Sequence, residues 1–367
     1  MALLLFSCAD KENINPLQKA LASKDIRIKR VMDSIGQYEV QIRYTQINRS
    51  NDSITFTDFD FQVNKNHYFY PASTVKFPAA VITLEKLNEI DSINRNTKFY
   101  IEGDAVETNF AKAIQDIFAI SDNDANNRLI EFLGFDTLNQ RVEKKGVNPI
   151  RISHGLSTGN ADDLTTKPLV IYLNDSTTAT SLSTISSNPV NLPIQNVLKG
   201  NGFYSEDSLH KEAFDFGLKN YYPIQAQHEL LKRIIFFKQF PKNERFNLSK
   251  NQHEFLLNAM RTLPKDAGYH VSEYYDSYGK FFIYGDSKEA IPEHIKIYNK
   301  VGYAYGTLTD CAYIKDAKNN VDFMLTATIL VNKNGIFNDD TYEYDEIGIP
   351  FLAQLGRELY TIELNRN

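Results

Sequence analysis

Several residue types and patterns are missing or scarce in this chain. It has no tryptophan and only two cysteines, Cys8 and Cys311. One cysteine pair cannot build a disulfide framework. There is no C-x-x-C and no H-E-x-x-H, so no metal signature stands out and no cofactor is expected. Like charges never gather into a block long enough to read as a solvated tail. The formal net charge is −6. That argues against a nucleic-acid partner, because phosphate binding needs a basic face. No apolar run approaches the ~20 residues of a membrane-spanning helix. There is no internal repeat.

What is present is ordinary for a globular protein. Apolar residues make up 42% and charged residues 23%, close to the usual mix. The 21 tyrosines and 24 phenylalanines point to an aromatic-rich interior. A chain of 367 residues can bury at least one large core.

The periodicity divides the chain. Residues 16–35 have a loose helical period that stops at Gly36. Residues 38–47 and 52–61 alternate as strands, with 48–51 as their turn. A hairpin alone is not stable and needs partners. Those appear only near the other end, at 294–302, 307–316 and 321–331, followed by a helix over 349–364. Between lie helical patterns at 73–90, 123–134, 135–146, 226–240 and 250–263. This order predicts an α/β (α+β) fold: one antiparallel sheet assembled from both chain ends, flanked by helices, with an inserted helical lobe. The sheet lobe is expected to take residues 16–70 and 270–367, and the helical lobe 71–269. Residues 174–222, rich in Ser, Thr and Asn, read as an inserted polar loop or lid rather than a packed element.

Three short motifs carry chemistry. Ser73 and Lys76 lie three apart at a helix start, so they share a face. A lysine whose pKa is lowered could take the serine proton. Ser121-Asp122-Asn123 opens the next helix, and the serine and asparagine could shuttle a proton and hold an amide. Lys300-Val301-Gly302 lies on a predicted strand, where Gly302 would let a substrate backbone approach and Lys300 would add positive charge. Each motif alone is weak. Ser208–Lys211 repeats the first, Ser92–Asn94 and Ser186–Asn188 repeat the S-x-N of the second, and Lys144–Gly146 and Lys333–Gly335 repeat the third. Serine and aspartate before a helix are also common caps.

Taken together and in this order, the motifs resemble the S-x-x-K, S-D-N and K-T-G set of class A β-lactamases and penicillin-binding proteins. The likeness extends through "PASTVKFPAA", "SDNDANNRLIEFLG" and "KVGYAYGTLTDCAYI", and covers about residues 38–168 and 224–362. It implies one catalytic domain over 16–367 and a serine acyl-transfer mechanism. Ser73 would be the nucleophile and Lys76 its base. Ser121 would donate to the leaving nitrogen, and Lys300 would tune Ser121 and attract a carboxylate. Asn123 would bind an acylamide group, and Gly302 and Tyr303 would line the site, with the N–H groups of Ser73 and Tyr303 facing the oxyanion. The implied partner is a small β-lactam or a peptidoglycan-stem-like amide, bound by a monomer.

Two positions depart from that pattern. Aligning Arg151 and Asn160 with the family's loop puts Leu156 where class A enzymes carry the glutamate that activates the deacylating water. No glutamate occurs anywhere in 150–168; His154, Asp162 or Asp163 could substitute. The middle residue of K-T-G is Val301, which lacks a hydroxyl for a substrate carboxylate. Alternatives to an efficient β-lactamase are therefore a DD-peptidase-like protein with slow deacylation, an esterase, or a degenerate lipid-anchored binding protein. Finally, Leu5-Phe6-Ser7-Cys8 resembles the lipobox of bacterial lipoproteins, though no positive region precedes it. It implies that residues 1–15 are a signal remnant and tether, with a lipid on Cys8 holding the protein at the bacterial envelope.

Overall fold

The computed structural model describes residues 15–50 and 53–366. Cys8 lies outside them. The expected helix over 16–35 is two short ones, α1 (Pro16–Leu21) and α2 (Ile26–Met32). The break has a local cause: Asp25 caps the second helix by accepting from Arg27 N at 2.9 Å, and Ser23 Oγ accepts from Asp25 N at 3.2 Å. Such short polar side chains offer the backbone an alternative to continued helix.

Five long strands form one antiparallel sheet: β1 (Gln41–Ser50), β2 (Ser53–Phe61), β3 (Ile295–Ala304), β4 (Thr307–Asp316) and β5 (Val321–Leu330), in the order β3-β4-β5-β1-β2. The sheet is thus assembled from both chain ends, as the sequence predicts. The N-terminal hairpin docks through β1 onto β5, with Gln41 opposite Thr328. Asn48, Arg49 and Ser50 do not form the turn. They continue the ladder, Ser50 pairing with Ser53, because backbone pairing favours extending β1 to the tightest reversal.

Both faces of the sheet are covered, and β4 shows how. Its side chains alternate: Cys311 and Tyr313 enter one core, Ala312 and Ile314 the other. The second core packs α1, α2 and α9 (Ile349–Leu364) on Ile42, Tyr44, Phe323 and Leu325. The first belongs to the inserted helices: α3 (Lys76–Leu87), α4 (Phe110–Ala119), α5 (Asn123–Leu133), α6 (Phe135–Lys144), α7 (Ile224–Ile235) and α8 (Lys250–Arg261). Helix α4 is absent from the expectations above. Yet Phe110, Ala113, Ile114, Ile117 and Phe118 are buried at i, i+3, i+4, i+7 and i+8, the helical period. Asn109 caps it by accepting from Lys112 N at 2.8 Å. No helix among the described residues is long and apolar enough to cross a membrane.

The segment 174–222 is only in part the expected polar loop: 181–197 is largely exposed and irregular, but short paired strands flank it. Leu169–Asn174 pairs with Lys98–Ile101 and Thr177–Thr180, and Gly202–Ser205 pairs with Ser208–His210 and Ile336–Phe337. Its Ser/Thr content concealed aromatic anchors. Phe216 and Tyr221 are buried with Tyr68, Tyr70 and Phe337 in a third cluster. This cluster sits beside the candidate site.

Candidate active site

Ser73 lies in a tight 3-10 turn, Ala72–Val75, just ahead of α3. Ala72 before it has φ +46°, a left-handed conformation that costs a non-glycine residue energy and is retained where surrounding structure enforces it. Thr74 Oγ1 donates to Pro71 O at 2.7 Å and ties the turn closed. Pro78 is the third residue of α3. Its missing N–H would have had no intrahelical partner there, so it costs nothing.

In the second motif the aspartate is the cap. Asp122 accepts from Ala125 N at 2.6 Å, which leaves Ser121 and Asn123 to face inward. Ser121 itself has φ +61°. Two lysine ammoniums converge on it. Lys300 Nζ donates to Ser121 Oγ at 2.8 Å and to Val301 O at 2.8 Å. Lys76 Nζ donates to Asn123 Oδ1 at 2.6 Å, to Ser121 Oγ at 3.3 Å and to Ser121 O. Among the described residues neither ammonium donates to Ser73. The pairing of Lys76 is with the second motif, not with the serine three residues before it.

A hydroxyl oxygen accepts twice and still has a proton to give. Ser121 can therefore take both lysine donors and remain a donor. Both lysines are buried, at 0% and 2% exposure for Lys76 and Lys300. Burial disfavours the charged form. It lowers Lys76 to about 7, against the opposing pull of Asp122 and Asp124. It also lowers Lys300 strongly, and the neighbouring Lys76 charge pushes in the same direction.

Gly302 has a different role from the expected one. A Cβ there would stand 2.6 Å from Pro71 O, 2.9 Å from Ser73 N and 3.0 Å from Thr74 N. The glycine lets β3 press against the Ala72–Val75 turn. The close approach that the structure shows is that of the turn. Tyr303 next to it is half exposed, at 50%.

These residues open onto a cleft of about 550 Å³ lined by Ser73, Asn123 and Tyr303. Its other walls include Tyr70, Tyr305, Tyr342, Tyr344, the loop 154–158 and one carboxylate, Asp340. Leu156 lies on that loop and lines the cleft. Asn127 holds it from both sides of the peptide, accepting from Leu156 N at 3.0 Å and donating to Leu156 O at 2.8 Å. No glutamate lines the cleft among the described residues. His154 does line it. Asp162 and Asp163 do not; Asp162 faces outward beside Lys219, 3.9 Å away.

A family model described as "Beta-lactamase2: Beta-lactamase enzyme family" matches residues 24–362. The chain belongs to the β-lactamase enzyme family. No curated protein matches it. Among solved structures it is similar to a representative of class A β-lactamase from Bacteroides cellulosilyticus DSM 14838, at 12% identity and TM-score 0.55, covering 97% of this chain and 100% of that one. It is similar to a β-lactamase from Sphaerobacter thermophilus DSM 20745, at 12% identity and TM-score 0.54, with 95% and 97% covered. PBP-A matches at 14% identity and TM-score 0.54, with 95% and 96% covered. At such identities the likeness is one of fold, and the mixed antiparallel architecture is that of the β-lactamases.

Within this β-lactamase fold the duplicate motifs have structural uses. Ser186 Oγ accepts from Phe135 N at 3.1 Å. Gly146 and Gly335 sit at φ +79° and +68°, where only glycine is comfortable. The tyrosine wall was not anticipated. Tyr342 and Tyr344 follow β5 in sequence, and Lys219, from the insertion, joins the same cleft. The density of tyrosine in "DDTYEYDE" (339–346) was the available signal.

Proposed function

We propose that this β-lactamase-family protein is an active-site serine hydrolase of β-lactams or peptidoglycan-stem-like amides that acylates readily and deacylates slowly. The observation that carries the reading is the convergence of two buried, pKa-lowered lysines on Ser121, with Lys76 also bonded to Asn123, which lines with Ser73 a cleft that holds Leu156 and no glutamate. In the neutral form Lys76 takes the Ser73 Oγ proton. The serine oxygen attacks the carbonyl carbon, and the oxyanion faces the N–H groups of Ser73 and Tyr303. The C–N bond breaks as Ser121 gives its proton to the leaving nitrogen, and the proton held on Lys76 replaces it. Lys300 fixes the Ser121 hydroxyl and, when protonated, draws a substrate carboxylate, while Asn123 holds an amide of the acyl side chain. Val301 offers the carboxylate no hydroxyl, which favours a substrate less dependent on that grip than a good β-lactamase substrate. A DD-peptidase-like role is the second reading, and Leu156 in place of glutamate favours it. Lipidation at Cys8, an envelope location and action as a monomer complete the proposal.

Mixing with a chromogenic cephalosporin tests it. The expected trace is a burst of about one equivalent followed by slow turnover, the signature of an accumulating acyl-enzyme. The Leu156→Glu protein should speed the slow phase by roughly 10²-fold or more, the usual worth of a positioned general base. An unchanged slow phase would mean that position 156 does not face the acyl ester.

A further inference from the structure

His154 carries a buried atom that the mechanism above leaves unused. The residue lines the same cleft as Ser73 and is 7% exposed. Its Nδ1 lies 2.6 Å from Gly155 O. A carbonyl only accepts, so Nδ1 carries the proton and Nε2 presents a bare lone pair. Nε2 is buried and has no hydrogen-bond partner among the described residues. Buried polar atoms are normally satisfied, and an exception calls for an explanation.

The ring is held in place. It stacks on Tyr70 at 6.2 Å and 6° between planes. The backbone is held by Asn220, which is fully buried. Asn220 Oδ1 accepts from Ser153 N at 2.8 Å and His154 N at 3.3 Å, and its Nδ2 donates to His154 O at 3.3 Å. The neighbouring Arg151 donates to Val190 O, Gly217 O and Lys219 O. The inserted segment thus props the loop from behind while Asn127 holds it at Leu156. A ring fixed on rigid supports, with an unpartnered acceptor and lining the same cleft as Ser73, has what a general base requires.

We propose that His154 Nε2 is the base that activates the deacylating water. This rests on the acyl-enzyme reading for Ser73. A water between Nε2 and the ester gives a proton to Nε2, and its oxygen bonds to the acyl carbon. The tetrahedral intermediate then expels Ser73 Oγ, which takes the proton back from the imidazolium. Ester and water become free acid and serine hydroxyl, and the histidine returns to its starting form. Burial lowers the His154 pKa to about 4. The ring is therefore neutral and available at pH 7, though weakly basic, consistent with slow release.

The test is the decay of a penicilloyl adduct, read by intact mass after excess penicillin is removed. Wild type, His154→Gln and the double variant His154→Gln/Leu156→Glu are compared, with thermal melts alongside. The His154→Gln protein should still form the adduct but lose it roughly 10²-fold more slowly, and the added glutamate should restore the loss. Equal decay in wild type and His154→Gln overturns the inference while leaving Ser73 acylation intact. Where Leu156→Glu alone speeds decay, slow decay that the glutamate does not restore also overturns it, because His154 would then only hold the loop. Absence of any adduct on wild type overturns the acyl-enzyme reading itself.

Discussion

The Lys76→Ala protein should acylate about 10²–10⁴-fold more slowly than wild type, the range a positioned base contributes. Lys76→Arg should not rescue it, since a guanidinium stays protonated at any working pH. The same residue sets the pH dependence. Its working form is neutral, and burial lowers its pKa to about 7. Below that pH the ammonium form dominates, and the acylation rate should fall close to tenfold per unit. Above it the rate should level off. The charges that face this ammonium are Asp122, Asp124 and Lys300. The two aspartates hold the proton on and burial drives it off, while the Lys76 charge in turn lowers Lys300. Quenched-flow mass analysis of adduct formation between pH 5 and 9 measures both effects. Acylation by Lys76→Ala within tenfold of wild type would assign the base to another group.

Removing Asp310 should cost about 3–5 kcal/mol of stability, the usual loss when one member of a buried charged network is deleted. Asp310 is fully buried on β4. Its Oδ2 accepts from Phe281 N at 3.0 Å and Phe282 N at 3.4 Å. Its Oδ1 accepts from Asn299 Nδ2 at 2.8 Å, and Asn299 Oδ1 accepts from the buried Lys280 at 2.5 Å. Burial raises the Asp310 carboxyl and lowers the Lys280 ammonium, so each depends on the charge of the other. Asp310→Ala leaves two backbone N–H groups without an acceptor and takes one from the Asn299 amide, which keeps Gly279 O at 2.8 Å. Asn299 also directly precedes Lys300, so the loss should reach the site. Urea unfolding reads the stability, and the acylation rate of the folded fraction reads the second effect. A change under 1 kcal/mol would show that this network is dispensable.

How much of this could be read from the chain differs by element. The sheet strands were legible in two ways: β2 alternates in exposure, while β4 and β5, buried on both faces, read as nearly continuous apolar and β-branched runs, as Cys311 and Ala312 illustrate. The three motifs were legible as a set: Ser73 and Asn123 line one cleft, Asn123 accepts from Lys76, and Ser121 accepts from Lys300. Their mutual geometry was not. Spacing alone put Lys76 beside Ser73, but the tight turn and the left-handed Ser121 direct its ammonium to the second motif. The role of Gly302 was misplaced because a close approach does not reveal what approaches. The 174–222 segment misled through composition: serine and threonine side chains masked strands whose backbone pairing needs no apolar period. The clamp of Asn220 on the His154 loop joins residues 66 positions apart, and no local pattern announces it.

The central claim is a covalent acyl-enzyme on Ser73 that outlives its formation. Intact mass of the wild-type and Ser73→Ala proteins, followed in time after adding a penicillin, tests it most directly. The account predicts an adduct of one penicillin mass on wild type only, complete early and decaying slowly, with Ser73→Ala unmodified throughout. An adduct of equal yield on Ser73→Ala, or none on either protein, would contradict it.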